Sequence, residues 1–176
     1  MLKVLFTGPE STGKSYLAQR LAKHFNTQWV PEYAREYLDR LSRAYQQEDL
    51  IDIAKGQFAW EEKWAAQAKN LLFCDTGPIV LKVWSLMKYG NCHPWIDQQV
   101  SQRHYDLYCL CSIDLPWSYD PLREHQNVED RKTLYQMYKK ELQNLGRPWI
   151  EVRGNTEERI HICVKATGKL LQSYRK

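Results

Sequence analysis

Short apolar runs alternate along this chain with longer segments in which apolar residues recur at helical spacing. The continuous runs have the length of strands buried on both faces, and they span residues 3–7, 28–31, 70–76, 107–113 and 149–152. The segments of helical periodicity span residues 15–25, 46–69, 78–88, 94–105 and 128–145, and the pattern resumes near residue 156. This alternation predicts an α/β fold in which helices flank a five-stranded parallel sheet.

Two segments interrupt the regular pattern. Gly56 lies inside the long helical segment 46–69 and could break it. Residues 114–127 contain two prolines and charged pairs but no periodicity, which predicts an exposed loop of functional size. We interpret residues of about 114–131 as a lid, and residues 1–176 as a single domain.

The sequence Gly-Pro-Glu-Ser-Thr-Gly-Lys-Ser at residues 8–15 matches the motif G-x-x-x-x-G-K-[ST]. It stands between a predicted strand and a predicted helix, which favours a P-loop, or Walker A motif, over a chance match in a glycine-containing turn. The glycines let backbone N–H groups converge on an anion, and the helix N-terminus adds its positive dipole. Lys14 would reach the β- and γ-phosphates of ATP, and Ser15 would reach the Mg²⁺ that bridges them. The expected nucleotide ligands in this loop are Gly8, Glu10, Ser11, Thr12, Gly13, Lys14 and Ser15.

An acid, Asp75, closes the third predicted strand. Right-handed crossovers place the carboxyl ends of parallel strands along one edge, so Asp75 should lie near the P-loop and hold Mg²⁺ directly or through water. The alternative is a solvated or capping aspartate at a strand end. No Glu follows Asp75, as it would in ATPases that activate water there, and the chain lacks the Asn-Lys-x-Asp of GTPases. A small-molecule kinase remains, with its preference for ATP or GTP open.

Such a kinase needs an acid near the acceptor hydroxyl, and Glu32 follows the second predicted strand. We expect Glu32 to orient the hydroxyl or accept its proton, although Asp75 could also act as the base. The alternative for Glu32 is a surface ion pair with Arg35 or Arg20.

Arginines of the lid are candidates for binding the transferring phosphoryl group. Arg123 and Arg131 could close over that group as cationic clamps, and solvation at the surface is the alternative fate of both side chains. By analogy with the usual arrangement in kinases, Gly154 and Asn155, after the last predicted strand, would lie near adenine.

Several segments occur in an order that resembles a known family. They are residues 8–15, Pro-Glu-Tyr-Ala-Arg-Glu-Tyr at 31–37, Phe-Cys-Asp-Thr at 73–76, Asp-Leu-Pro-Trp at 114–117 and Pro-Leu-Arg at 121–123. The chain is similar, over most of its length, to the ribosylnicotinamide kinase domain of the NadR family. The resemblance implies ATP-dependent phosphorylation of nicotinamide riboside to the mononucleotide. NadR proteins also carry an adenylyltransferase domain and sometimes a repressor domain, but this chain lacks the His-x-Gly-His signature, so we expect neither NAD synthesis by the chain alone nor operator binding.

Nicotinamide riboside carries a planar, cationic pyridinium ring, which an aromatic wall and a nearby acid would bind. The sequence does not choose among the aromatic residues near strand ends and in loops. The candidate substrate residues are Glu32, Tyr33, Arg35, Tyr37, Trp84 and Trp117.

Composition and charge add limits to this interpretation. The net charge of +4 comes from scattered rather than clustered residues, which argues against a nucleic-acid partner. A strand begins near residue 3 and no apolar run has membrane-spanning length, so we expect a cytoplasmic protein without a membrane partner. The five cysteines form no metal-binding pattern and are expected to be reduced, with Cys74, Cys109 and Cys111 serving as small apolar residues in strands.

Two other functions remain open at this point. One is a kinase for another nucleoside or small metabolite, and the other is an ATP-binding regulatory module without turnover. The acid and the basic lid favour an enzyme, because a binding module needs neither. The oligomeric state is also open.

Overall fold

A five-stranded parallel sheet lies at the centre of the fold, with helices on both faces. The structure is a computed structural model and describes residues 1–174. The strands are β1 (Leu2–Thr7), β2 (Gln28–Val30), β3 (Leu71–Asp75), β4 (Leu107–Cys111) and β5 (Trp149–Val152). The helices are α1 (Lys14–His24), α2 (Tyr33–Arg40), α3 (Asp49–Ala65), α4 (Pro78–Tyr89), α5 (Pro94–Gln102), α6 (Val128–Leu145) and α7 (Thr156–Tyr174).

The strand order, β2-β3-β1-β4-β5, determines which loops become neighbours. All four pairings are parallel, so the carboxyl ends of the strands share one edge of the sheet. The P-loop follows β1 at this edge, and Glu32 follows β2. Asp75 ends β3 in register with Phe6, just before the P-loop. The topology therefore brings the three predicted site segments together.

The core lies on both faces of the sheet because side chains alternate along each strand. Val4 and Phe6 of β1 are fully buried in one cluster with Leu17 of α1. Leu5 points to the opposite face and is buried in a second cluster with Ile79 of α4. Full burial of each such side chain contributes roughly 1.5–3 kcal/mol, so these two layers hold the helices against the sheet.

The predicted α/β architecture and the parallel sheet are confirmed, with small shifts at the element ends. The strands predicted over 70–76 and 107–113 are shorter, ending at Asp75 and Cys111. Residues 112–127, between β4 and α6, contain no helix or strand, which confirms the predicted irregular loop.

The region around Gly56 differs from the prediction. The polar segment after β2 forms the helix α2, and α3 begins at Asp49 and continues through Gly56 without a break. A Cβ at Gly56 would lie 1.9 Å from Cε1 of Tyr33, so the ring of Tyr33 occupies the space that the missing side chain leaves. Gly56 therefore permits close packing of α2 on α3 instead of ending the helix.

The strand cysteines are packed as predicted. All five are free thiols, and Cys74, Cys109 and Cys111 are fully buried in the sheet.

None of the helices within residues 1–174 is long and apolar enough to span a membrane.

Candidate active site

Left-handed backbone at both glycines gives the P-loop its shape. Gly8 has φ +126°, and a Cβ there would lie only 2.7 Å from the carbonyl oxygen of Cys111. Gly13 has φ +78° and forms the N-terminal cap of α1, where no side chain among residues 1–174 accepts the first N–H groups. These N–H groups are therefore available to an anion at the end of the helix dipole.

Two polar side chains fix the loop from inside. The Thr12 hydroxyl donates to the carbonyl of Pro9 at 2.7 Å. The Lys14 ammonium donates to the carbonyls of Gly8 at 2.9 Å and Pro9 at 2.7 Å. Because an ammonium carries three protons, Lys14 keeps one donor for a phosphate oxygen while it braces the loop.

Asp75 has an unusual electrostatic environment. The residue is 1% exposed, and neither carboxylate oxygen has a hydrogen-bond partner among residues 1–174. Burial, followed by the charge of Glu32, raises the pKa of Asp75 to about 7, while Ser15 and Lys14 oppose the rise. The Ser15 hydroxyl lies close enough to affect this pKa, although it makes no hydrogen bond of ordinary geometry with Asp75. Together, the carboxylate and the hydroxyl offer the oxygen ligands that Mg²⁺ prefers. The residues present therefore fit a Mg²⁺ ion between Ser15 and Asp75.

A cavity of about 410 Å³ lies between the P-loop, α2, α4, α6 and the lid loop, residues 114–127. Its volume is within the range of small-ligand sites. The whole P-loop lines one side, and Glu32, Arg35 and Arg123 supply charge. The other lining residues are Tyr16, Ala34, Leu38, Val80, Trp84, Leu122, Glu124, His125, Leu134 and Tyr138.

Glu32 lines this cavity and also contacts Arg35. The carboxylate is 25% exposed and lies 3.6 Å from Nε of Arg35. Arg35 in turn pairs with Asp120 of the lid loop at 2.9 Å. The ion pair anticipated as an alternative therefore exists, but its 3.6 Å separation leaves Glu32 able to accept a hydrogen bond from a ligand.

The lid loop is held against the P-loop by polar contacts. The amide of Ser118 donates to Oγ of Ser11 at 3.0 Å. Glu10 accepts from the backbone N–H of Glu124 at 3.1 Å and from that of His125. Glu10 and Ser11 thus bind the lid loop through their side chains, a function that the sequence motif does not reveal.

A second set of contacts fixes the lid loop to α4. The Glu124 carboxylate accepts from Lys88 and from the Tyr45 hydroxyl, each at 2.7 Å. Trp84 donates its indole N–H to the same hydroxyl at 2.8 Å. One wall of the cavity is consequently tied to the loop that covers it.

The two predicted lid arginines occupy different positions. Arg123 lines the cavity and donates through Nη1 to the carbonyl and the hydroxyl of Ser118, both at 2.6 Å. Arg131 is 4% exposed, lies outside the cavity lining, and donates to the carbonyl of Leu115 at 3.3 Å. Arg123 therefore faces the ligand space, whereas Arg131 supports the beginning of the lid loop.

The predicted aromatic residues also separate into two groups. Trp84 lines the cavity. Tyr37 donates its hydroxyl to Asp49 at 2.8 Å, and Tyr33 packs edge-on against Trp60 at 5.0 Å between ring centroids. These two tyrosines and Trp117 are absent from the cavity lining.

Gly154 and Asn155 lie in the turn between β5 and α7. The Gly154 N–H donates to Oδ2 of Asp114 at 2.6 Å, so this turn contacts the start of the lid loop. Neither residue lines the cavity, which leaves their predicted position beside adenine as a prediction.

Sequence reasoning missed several lining residues. Helical spacing does not distinguish an apolar residue that faces a cavity from one in the core. The pattern therefore predicts core positions for Val80, Leu134 and Tyr138. Glu124 and His125 could have been found, since both are polar residues in a loop of functional size.

The P-loop between β1 and α1 and the parallel strand order define the P-loop kinase fold. Residues 3–159 match the AAA domain family, and the chain belongs to that family.

The chain is similar to the trifunctional NAD biosynthesis/regulator protein NadR of Salmonella typhimurium, with 27% identity over 173 residues, 96% of this chain and 42% of that protein. The Escherichia coli protein of the same name is 26% identical over 179 residues, 98% of this chain and 43% of that protein. The chain thus spans less than half the length of these relatives.

Solved structures agree on the fold. NadR in complex with NR superposes with a TM-score of 0.78 and 20% identity, over 96% of this chain and 49% of that chain. NadR with NAD and AMP-PNP gives a TM-score of 0.75 at 21% identity, over 96% of this chain and 49% of that chain. Deoxyadenosine kinase from M. mycoides with bound dATP gives 0.61 at 14% identity, over 96% of this chain and 100% of that chain.

Proposed function

We propose that the chain is an ATP-dependent kinase that phosphorylates the ribose hydroxyl of nicotinamide riboside and forms nicotinamide mononucleotide. The observation that carries the proposal is the cavity, where the P-loop, the Glu32 carboxylate and the Arg123 guanidinium face one volume. Phosphoryl transfer requires these three elements: a phosphate cradle, an acid near the acceptor, and positive charge at the transferring group.

The choice of acceptor is supported by the relatives. NadR is named for NAD biosynthesis, and a NadR structure contains NR. The cavity offers the rings of Trp84 and Tyr138 and the negative charge of Glu32. An aromatic surface with a nearby carboxylate suits a planar cationic pyridinium. Among the predicted substrate residues, Glu32, Arg35 and Trp84 line this space.

The proposed reaction depends mainly on positioning. The P-loop N–H groups and Lys14 hold the phosphates of ATP, and Arg123 offsets the charge that spreads over the equatorial oxygens of the γ-phosphoryl group. Glu32 accepts a hydrogen bond from the acceptor hydroxyl, aligns its oxygen with the phosphorus, and accepts the proton late in the transfer. The lid loop excludes water, which would otherwise compete as the acceptor.

Ser15 and Asp75 are the residues that would hold Mg²⁺. Bound there, Mg²⁺ would neutralise negative charge on the phosphate oxygens of ATP. The unpartnered carboxylate of Asp75 supports this assignment, because a bound cation would relieve an unfavourable buried charge.

We propose that residues 1–176 act as one P-loop kinase domain with a lid of about residues 114–131. The contacts of Ser11 and Glu10 with the lid loop support this function, since they link the covering loop to the phosphate cradle. Release of products would then require these contacts to open.

A substrate panel tests the proposal. The chain is incubated with ATP and Mg²⁺ and one candidate acceptor at a time: nicotinamide riboside, other ribonucleosides, deoxyribonucleosides or water alone. We expect acceptor-dependent ADP formation with nicotinamide riboside. Turnover with another nucleoside and none with nicotinamide riboside would transfer the assignment to that acceptor. ATP binding without turnover of any acceptor would favour a regulatory module.

A further inference from the structure

The buried side chain of Arg159 connects three loops at the carboxyl edge of the sheet. It is 1% exposed although it lies in the first turn of α7, where a helix dipole disfavours positive charge. The two preceding residues, Glu157 and Glu158, are the acids that this position of a helix favours. Helix electrostatics therefore do not explain an arginine at this position. The contacts of its side chain must explain it.

The Arg159 side chain makes four hydrogen bonds, which use all three nitrogens of the guanidinium group. Nε donates to the carbonyl of Gly154 at 2.7 Å, and Nη1 donates to the carbonyl of Thr12 at 3.0 Å. Nη2 donates to the carbonyl of Ser112 at 3.0 Å and pairs with Oδ1 of Asp114. One side chain thus contacts the P-loop, the end of β4 with the start of the lid loop, and the turn after β5.

The contact with Thr12 affects the phosphate cradle directly. In a trans peptide, the N–H of the next residue points opposite to the carbonyl. When Arg159 holds the Thr12 carbonyl on its own side, the N–H of Gly13 is directed away from Arg159. That N–H belongs to the P-loop, which lines the cavity, so Arg159 fixes the orientation of a donor in the cradle.

Asp114 completes the connection on the other side. Its Oδ1 pairs with Arg159, while its Oδ2 accepts the N–H of Gly154 at 2.6 Å. Gly154 is therefore held through both its carbonyl and its N–H by one ion pair. With φ +93°, Gly154 has a backbone conformation that few residues adopt, and these two bonds maintain it.

We infer that Arg159, together with Asp114, is a positioning pair for the nucleotide, and this inference rests on the proposed ATP-dependent function. Neither residue lines the cavity, so the pair acts through the P-loop and through the turn at Gly154. The acceptor side, formed by α2 and α4, makes none of the Arg159 contacts described here. Loss of the pair should therefore weaken ATP binding without altering acceptor binding.

The test measures binding of AMP-PNP by calorimetry and the KM values for ATP and acceptor in variants of the whole chain of residues 1–176. Arg159→Gln should weaken AMP-PNP binding about tenfold or more and raise the KM for ATP by a similar factor, because small displacements of positioned groups have large effects. The KM for the acceptor should stay within about twofold of wild type by the same reasoning. Arg159→Lys keeps the charge but not the fork of donors, so it should recover part of the loss.

Arg103→Gln is the matched control. Arg103 is 21% exposed at its side chain and pairs with Glu61 at 3.7 Å before β4 begins, at the opposite edge of the sheet. Its loss should lower the melting temperature but leave AMP-PNP affinity unchanged. If Arg159→Gln does not fold, Asp114→Asn replaces it, because Asp114 is 39% exposed and the amide retains an acceptor for Gly154. This variant should weaken AMP-PNP binding several-fold.

The outcomes separate this inference from the proposed function. A folded Arg159→Gln or Asp114→Asn variant with wild-type AMP-PNP affinity would overturn the inference alone. A variant that loses stability and active fraction at an unchanged KM for ATP would show a merely structural role and also overturn it. Wild-type protein that does not bind AMP-PNP would overturn the proposed function and this inference with it.

Discussion

Asp75 and Asp49 are both almost fully buried, 1% and 4% exposed, yet their carboxylates have opposite surroundings. Asp49 accepts two hydrogen bonds from Arg43, at 2.7 and 2.8 Å, one from the Gln46 N–H at 2.7 Å and one from Tyr37 at 2.8 Å. Asp75 accepts none within residues 1–174. Burial alone therefore does not determine what a carboxylate does; the partners do.

The pKa values follow this difference. The hydrogen bonds from Arg43, the Gln46 N–H and Tyr37 outweigh burial and lower the pKa of Asp49 below its ordinary value. Burial and the charge of Glu32 raise the pKa of Asp75 to about 7. Asp49 is thus a structural charge at the start of α3, whereas Asp75 pays an electrostatic penalty that a bound cation would remove. We expect mutations to separate stability from activity at these two positions.

The largest effect is expected for Glu32→Gln, which removes the charge beside Asp75 and keeps the side-chain shape. If Glu32 orients the acceptor hydroxyl and accepts its proton, kcat should fall roughly 10²- to 10⁴-fold while ATP affinity stays nearly unchanged. Both quantities are measured in one preparation, with folding checked by thermal melting. A well-folded variant with wild-type kcat would leave Asp75 as the remaining acid near the acceptor.

A somewhat smaller loss of activity is expected for Asp75→Asn. The amide keeps the shape but is a poorer metal ligand, so turnover at fixed Mg²⁺ should fall on the order of 10²-fold, and half-maximal activity should require more Mg²⁺. The melting temperature without ligand should not fall, because the variant loses an unpartnered buried charge. An unchanged Mg²⁺ titration would remove Asp75 from the metal site.

Asp49→Ala should lower stability and leave activity nearly unchanged, the opposite of what is expected for Asp75→Asn. Loss of a buried carboxylate with four hydrogen bonds should lower the free energy of unfolding by roughly 2–4 kcal/mol. The value of kcat should remain within a few-fold of wild type. Asp52→Ala on the same helix is the control, since Asp52 is 61% exposed and its change should have little effect on stability. A large loss of kcat in stable Asp49→Ala protein would instead connect Tyr37 with the acceptor site.

The smallest effect, taken per pH unit, is the dependence of stability on pH. Asp75 has a raised pKa, so between its ordinary value of 3.8 and about 7 the folded state binds more protons than the unfolded state, and stability falls as pH rises. The slope from this group is at most about 1.4 kcal/mol per pH unit. Urea titrations of ligand-free protein should show that the free energy of unfolding of Asp75→Asn increases relative to that of wild type as pH rises through this window. An unfolding free energy that changes equally with pH in both proteins would contradict the raised pKa.

Asp49 changes stability with pH in the opposite direction and in a different pH window. Its lowered pKa means that its stabilisation is present above the unfolded value of 3.8 and is lost as pH falls through the lower folded value. The difference between wild type and Asp49→Ala should therefore shrink only under acidic conditions.

The same contrast explains which parts of the site the sequence predicted. The P-loop is contiguous and depends on backbone conformations that Gly8 and Gly13 permit, so a local motif was sufficient. Asp75 followed from its position at the end of a buried strand. The partners that distinguish Asp75 from Asp49 come from other segments. No local pattern shows that Arg43 bonds the Asp49 carboxylate while the Asp75 carboxylate accepts no hydrogen bond within residues 1–174.

The cavity lining was predictable only where polarity marked it. Glu32, Arg123 and Trp84 were predicted and line the cavity, whereas Tyr138 and Val80 were not predicted because tertiary packing alone turns them towards the ligand space. Tertiary packing also explains the predicted aromatic residues that do not line the cavity, which are Tyr33, Tyr37 and Trp117. The short helix α2 was also missed. Ala34, Tyr37 and Leu38 stand at helical spacing, but eight residues make only about two turns, and packing on α3 supplies the stability.

The proposed reaction is tested most directly by ³¹P NMR of ATP and nicotinamide riboside incubated with Mg²⁺ and either wild-type protein or Lys14→Ala. With wild-type protein, the γ-phosphate signal should decay while a ribose 5′-type phosphomonoester signal and ADP grow in equal amounts. Lys14→Ala should slow this conversion at least ~10²-fold, because it removes a charge that stabilises the transferring phosphates. ATP that remains intact with the wild type, or conversion at similar rates by both proteins, would contradict a P-loop kinase acting on nicotinamide riboside.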